Sequence, residues 1–289
     1  MDGIFAHRRR RWHALGLLLA LVLAGCTDSS PKADDATSPS PSAASSPARS
    51  ATPSTAAPPP TPPRAGACYA LSFTAATAVS ADAAPVPCSR PHTAVTMYVG
   101  SADIIEDGHL ITMDSARVAD HLSTVCPRRL AAYVGGDRED RRLARLQAVW
   151  FTPTAEQAQQ GAVWFRCDLV ALAGNDRLVP LPRQARGMLD RAGMLDRYGT
   201  CGTAAPDQRS FHRVACAERH TWRAVTSIDL PPRARYLDKD VTATADARCK
   251  DIAASRASNS LKYSWSFEWP ARKAWRSGQH WGLCWLPVR

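Results

Sequence analysis

The stretch Val86-Pro87-Cys88-Ser89-Arg90-Pro91-His92-Thr93 returns later in the chain as Val214-Ala215-Cys216-Ala217-Glu218-Arg219-His220-Thr221. Both read Cys-x-x-x-His-Thr, and both continue into β-branched and apolar residues, Thr93 to Val99 and Thr221 to Leu230, which predicts a strand in each place. A second phrase repeats in the same order. Trp150, Pro153, Gly161 and Trp164-Phe165-Arg166-Cys167 are answered by Trp269, Pro270, Gly278 and Trp281-Gly282-Leu283-Cys284. Two phrases recurring in one order mark an internal duplication.

Between the two phrases each copy has a helical pattern. Val118, Leu122, Val125 and Cys126 recur at helical spacing, as do Val241, Ala245, Cys249 and Ile252, so the third cysteine of each copy faces a core. Pro127 is expected to break or restart the first helix, and Gly135-Gly136 to end it. A strand follows, Arg145 to Phe151 or Tyr263 to Trp269, and then a short polar helix, which in the first copy opens with the capping-box pattern Thr154-Ala155-Glu156-Gln157. A last strand carries the fourth cysteine. The expected unit is β-β-α-β-α-β. The expected fold class is α+β: two tandem small disulfide-stapled domains, each a small antiparallel sheet packed on one main helix.

The N-terminal segment sets the compartment. Arg8 to Arg11 precede the apolar run Ala14 to Leu23, which closes in Leu23-Ala24-Gly25-Cys26. This reads as a lipoprotein signal peptide, in which the small residues admit the peptidase and the Cys26 thiol receives a diacylglycerol. Thr27 to about Ala65 is almost entirely Ser, Pro, Ala and Thr and is expected to be a disordered, partly polyproline spacer. The organisation that follows is signal peptide 1–25, lipidated Cys26 and spacer 26–65, first domain 66–180, connector 181–199 and second domain 200–289. Within the connector, Gly187-Met-Leu-Asp-Arg-Ala192 is repeated at once as Gly193-Met-Leu-Asp-Arg-Tyr198, a duplication best read as sequence slippage. The expected location is the extracytoplasmic face of the cell membrane, held by the lipid.

Nine cysteines are present. Lipidation of Cys26 leaves Cys68, Cys88, Cys126 and Cys167 in the first copy and Cys201, Cys216, Cys249 and Cys284 in the second. An even set in an exported domain reads as a disulfide framework. Four cysteines allow three pairings per copy. The preferred one joins first to second and third to fourth, because neighbouring strands bring the first pair together and a core-facing helical cysteine meets the last strand. The competing reading places zinc on Cys88 and His92, or on Cys216 and His220, with two further cysteines. Outside the cell such thiols oxidise before a site forms, so no metal and no cofactor is expected.

Charge divides the copies. Residues 66–180 hold ten Lys/Arg against twelve Asp/Glu, and 181–289 hold nineteen against ten. The second copy also carries Trp265, Trp269, Trp275, Trp281 and Trp285 beside Arg272, Lys273 and Arg276. Trp269 and Trp281 answer Trp150 and Trp164 and are expected in the core. Trp275 with Arg272, Lys273 and Arg276 is the candidate binding surface, since tryptophans beside cations stack on sugars and receive acidic polymers. The expected partners are the membrane through the lipid and a cell-wall polymer or envelope protein; nucleic acid is excluded by compartment. His92 and His220 are the polar side chains repeated at one place in both copies, and are candidate binding residues or loop caps bonded to a backbone carbonyl. No nucleophile elbow, zinc-protease motif or phosphate loop accompanies them. The expectation is therefore a non-enzymatic module with no catalytic residue, the alternative being a wall-modifying enzyme that uses His92 or His220.

The first copy resembles the septum-formation-related domain of actinobacterial envelope proteins. The resemblance rests on Cys68, Pro87-Cys88 with Pro91-His92, Cys126 with Ala131-Ala-Tyr-Val-Gly135, and Pro153, Gln159, Gly161 and Cys167. The second copy shares it in part, lacking the proline before His220 and the Tyr-Val-Gly. In that family a Glu commonly follows the histidine, and none follows here. The resemblance implies a part in cell division or envelope assembly and no particular reaction.

Overall fold

The computed structural model describes residues 58–80, 82–259 and 262–288. The expected signal peptide, Cys26 and most of the spacer lie outside the described residues. The first half contains β1 (Cys68–Tyr69), α1 (Phe73–Ala76), β2 (Ala94–Ser101), β3 (Ile105–Glu106), β4 (His109–Leu110), α2 (Ala116–Val134) and α3 (Arg138–Leu143). It continues with β5 (Leu146–Phe151), α4 (Ala155–Gln159), β6 (Trp164–Gly174) and β7 (Arg177–Leu178). A 3₁₀ turn (Met188–Asp190) and α5 (Met194–Tyr198) lead into β8 (Thr200–Gly202), β9 (Arg213–Ala215) and β10 (Trp222–Asp229). Then come α6 (Lys239–Arg256), β11 (Ser266–Glu268), α7 (Arg272–Arg276) and β12 (Trp281–Pro287).

Mixed helix and antiparallel sheet make this an α+β fold. One five-stranded sheet runs β1-β2-β6-β5 with β7 also on β6, and the other runs β11-β12-β10-β8-β9. Val86 bridges Cys68 at the outer side of β1, so the first order, Val86-β1-β2-β6-β5, matches β9-β8-β10-β12-β11 position for position. The bulges match as well. β2 slips between Thr96 and Tyr98, opposite Cys167, and β10 slips between Ala224 and Thr226, opposite Cys284. Four disulfides join Cys68 to Cys88, Cys126 to Cys167, Cys201 to Cys216 and Cys249 to Cys284, which is the preferred pairing. With their sulfurs bridged, the cysteines are not thiolate ligands for zinc.

β6 is buried along almost its whole length, as a strand covered on both faces must be. Its period of two sends Phe165, Cys167, Leu169 and Ala171 into one core with Val118, Leu122 and Cys126 of α2. Val170 and Leu172 point the other way, to Tyr69, Leu71, Ala76, Ala94, Val149 and Phe151. In the second sheet Cys284 joins Ile228, Leu230, Ala245 and Cys249 on the α6 side. Its other face, Ala224, Leu283 and Trp285, packs on Leu143 of α3.

One expectation is corrected. Pro127 neither breaks nor restarts α2, which runs through it; Leu122, Cys126, Tyr133 and Val134 are buried along the same helix, and that packing with the Cys126 bridge outweighs one lost hydrogen bond. The helix ends at Gly135, at φ 73°. In the expected connector, residues 181–199, Leu181, Ala185, Met188, Leu189 and Tyr198 belong to the first core, and the Tyr198 hydroxyl donates to the Pro180 carbonyl at 2.9 Å. The described residues of both halves fall in one compact unit. Glu139 of α3 accepts from the Ser227 N–H of β10 at 2.6 Å and from the Thr226 and Ser227 hydroxyls. The backbone of β9 comes so close to Gly174 that a Cβ there would stand 2.9 Å from the Arg213 carbonyl, and φ is 110°; only glycine fits.

Candidate functional site

The repeated histidines hold their own loops. His92 Nδ1 donates to the Arg90 carbonyl at 2.9 Å and His220 Nδ1 to the Glu218 carbonyl at 2.7 Å. A carbonyl only accepts, so Nδ1 carries the proton in both rings. The next residue completes the device: the Thr93 hydroxyl donates to Leu71 O at 2.7 Å and that of Thr221 to Thr203 O at 2.8 Å. Cys-x-x-x-His-Thr is thus a loop clamp in both halves. His92 is 2% exposed, out of reach of a polymer.

The candidate surface of the second half is assembled by α7. Trp275 stacks on Trp269 with centroids 5.4 Å apart, meets the His280 ring edge-on at 4.6 Å, and lies 6.1 Å from Tyr236. Arg272 sits over Tyr236 at 4.5 Å. Arg272, Lys273 and Arg276 are exposed and Trp275 is half-buried. The two other unassigned tryptophans do not join them. Trp265 Nε1 donates to Asp246 at 3.1 Å. Trp285 is fully buried, edge-on to Phe211, with Nε1 donating to Glu268 at 3.0 Å.

A third feature went unread in the sequence. On the outer face of the first sheet Thr96, Arg166 and Asp168 are all buried. Register places Thr96 directly opposite Asp168, and its hydroxyl donates to Asp168 Oδ1 at 2.8 Å. The Arg166 guanidinium lies between the Tyr69 ring at 3.9 Å and the Phe151 ring at 4.6 Å. It stands 3.4 Å from Asp168 Oδ2, an ion pair without an aligned hydrogen bond. Arg166 Nε and Nη2, Asp168 Oδ2 and the nearby Trp164 Nε1 are all buried without a hydrogen-bond partner. Each unmet group costs about 1–3 kcal/mol. Burial pushes the Asp168 carboxyl from 3.8 up to about 6, against the opposing pull of Arg166 and the Thr96 bond. The matching residues of the second half are Ala224, Leu283 and Trp285, with Ala224 opposite Trp285. That replacement of a polar trio by an apolar one, visible when the copies are aligned, is the signal that could have found the site.

Arg166 and Trp164 floor a cavity of about 680 Å³ walled by Thr61 to Ala67, Tyr69 and the Asp82–Pro85 loop. A second cavity, of about 420 Å³, lies between the sheets, but its cations are engaged: Arg142 with Asp229, Arg177 with Glu218 and Arg213 with Glu268.

A family model described as septum formation matches residues 65–284, one match that runs across both sheets and all four disulfides. The chain belongs to the septum-formation family. Neither the curated proteins nor the solved structures yield a match. The family match takes in the loop clamps, the Arg166 cavity floor and α7, so each feature described above belongs to the septum-formation region rather than to an appendage. Among the described residues of this septum-formation protein no helix is long and apolar enough to cross a membrane, and no cluster of His, Cys, Asp and Glu is arranged for a metal ion.

Proposed function

We propose that this protein is a non-enzymatic envelope module of septum formation, tethered to the extracytoplasmic membrane face through lipidated Cys26, that docks a wall polymer or envelope protein on α7. The family supports the septal setting. The observation that carries the docking surface is the aromatic platform of Tyr236, Trp269 and Trp275, bordered by exposed Arg272, Lys273 and Arg276. Stacked rings offer a flat apolar face to a sugar while the cations neutralise an acidic chain. The excess of nineteen Lys/Arg over ten Asp/Glu in residues 181–289 adds attraction at longer range.

In this reading the halves are duplicated copies of one module, a view supported by their shared strand order and bulge positions. The second copy carries the docking surface. The Pro/Ser/Ala/Thr spacer lets it reach the wall from its lipid, as an extended chain of about 3.1 Å per residue does.

Co-sedimentation of the protein with purified cell wall tests the proposal. Wild type is expected to pellet, and Arg272→Ala with Arg276→Ala to lower retention at least fivefold, with the remaining binding weakening as salt rises. Equal retention of both proteins would overturn it.

A further inference from the structure

We propose that the cavity floored by Arg166 and Trp164 is a binding site for a carboxylate group, presented by a small organic acid or by the free C-terminus of a peptide. The site is separate from α7 and independent of the docking surface there.

Hydrogen-bond accounting points to this class of ligand. Arg166 Nη2 and Asp168 Oδ2 face each other as an ion pair at 3.4 Å, which leaves two buried N–H groups, Arg166 Nε and Trp164 Nε1, with neither an acceptor nor an ion-pair partner. A trapped water supplies as many donors as acceptors and leaves that imbalance standing. A carboxylate brings two oxygens with about four lone-pair sites and no donor. The shape agrees. Arg166 is clamped flat between Tyr69 and Phe151, so its rotamer is fixed in advance, and the Nε and Nη2 edge is the one that forks onto two coplanar oxygens. Trp164 and Arg166 are two apart on β6 and line the same cavity. The second half, with Leu283 for Arg166 and Trp285 for Asp168, has no such floor.

The test follows the indole N–H resonance of Trp164 in the intact protein during titration with acetate, with trialanine bearing a free C-terminus, and with trialanine amide. Acetate or the free acid is expected to shift that resonance saturably, and the amide to leave it in place. Saturation by acetate alone identifies a small acid as the natural class, and tighter binding of the free tripeptide identifies a chain terminus. Arg166→Lys keeps the charge but loses the planar fork, and is expected to weaken binding at least tenfold. Arg166→Met with Asp168→Leu, which replaces the buried pair by apolar groups, is expected to retain the fold and abolish the shift. If that double variant does not fold, the Arg166→Lys comparison decides. A Trp164 resonance that no carboxylate moves, or that the amide moves equally, would overturn the proposal and leave solvent as the occupant.

Discussion

Asp168 is the one described carboxyl pushed far from its ordinary range, up to about 6 from 3.8. A group that holds its proton more tightly in the fold than in the unfolded chain contributes stability below its unfolded value. That contribution is lost as pH rises through its folded one. For two units the swing is on the order of 3 kcal/mol. Wild type should therefore lose stability relative to Asp168→Asn as pH rises from 4 to 7, measured by urea unfolding of both proteins at each pH. A constant difference would show that Asp168 is not held in the buried environment described. The sequence gives no sight of this group, because Arg166 and Asp168 stand in the otherwise apolar run Trp164–Gly174, and only the β2 register reveals Thr96 as partner. The histidines were more legible. A loop cap bonded to a backbone carbonyl was one of the two readings of their repetition, and the rings bond the carbonyls of Arg90 and Glu218.

At the scale of elements, the main helices, the principal strands and the Thr154 capping box follow from periodicity and turn chemistry. In that box Gln157 N–H donates to the Thr154 hydroxyl at 3.3 Å, and the Thr154 N–H donates to the Gln157 side chain at 3.1 Å. Cysteine placement was readable for the same reason, since a cysteine at a core-facing helical position needs a partner on the strand beneath it. Pro127 was misread because local propensity cannot see the bridge one residue before it. The bridge from Cys126 to Cys167 spans 41 residues, a loop whose closure in the unfolded chain is worth roughly 4 kcal/mol. Replacing both cysteines by alanine should lower the free energy of unfolding by about that amount in equilibrium denaturation. The helical far-UV signal should survive at 25 °C, since Leu122 and Val134 remain to seat α2. Loss of less than about 1 kcal/mol would contradict the role given to this staple.

Over the whole molecule the halves share a seam, and here sequence reading had least to work with. Asp137, Glu139 and Asp140 look like a solvated charge run, yet α3 turns Leu143 into the second core and Glu139 onto β10. Which sheet a short polar helix covers depends on contacts some 90 residues away, as the separation of 88 between Glu139 and Ser227 illustrates. Removing the Glu139 carboxylate leaves the Ser227 N–H and two hydroxyls without their acceptor. Glu139→Ala should thus destabilise by about 1–3 kcal/mol. Wild type should unfold in one transition followed by tryptophan fluorescence and circular dichroism alike. Two separate transitions in the wild type would mean that the seam does not couple the halves.

The septal docking role is tested most directly by placing a photo-crosslinking residue at Lys273 in the full-length protein and irradiating dividing cells. Adducts with wall polymer or an envelope protein are expected, lost when Arg272 and Arg276 are both alanine and not reproduced by the same probe at exposed Leu110. Identical adducts from Lys273 and Leu110, or none from Lys273, would contradict it.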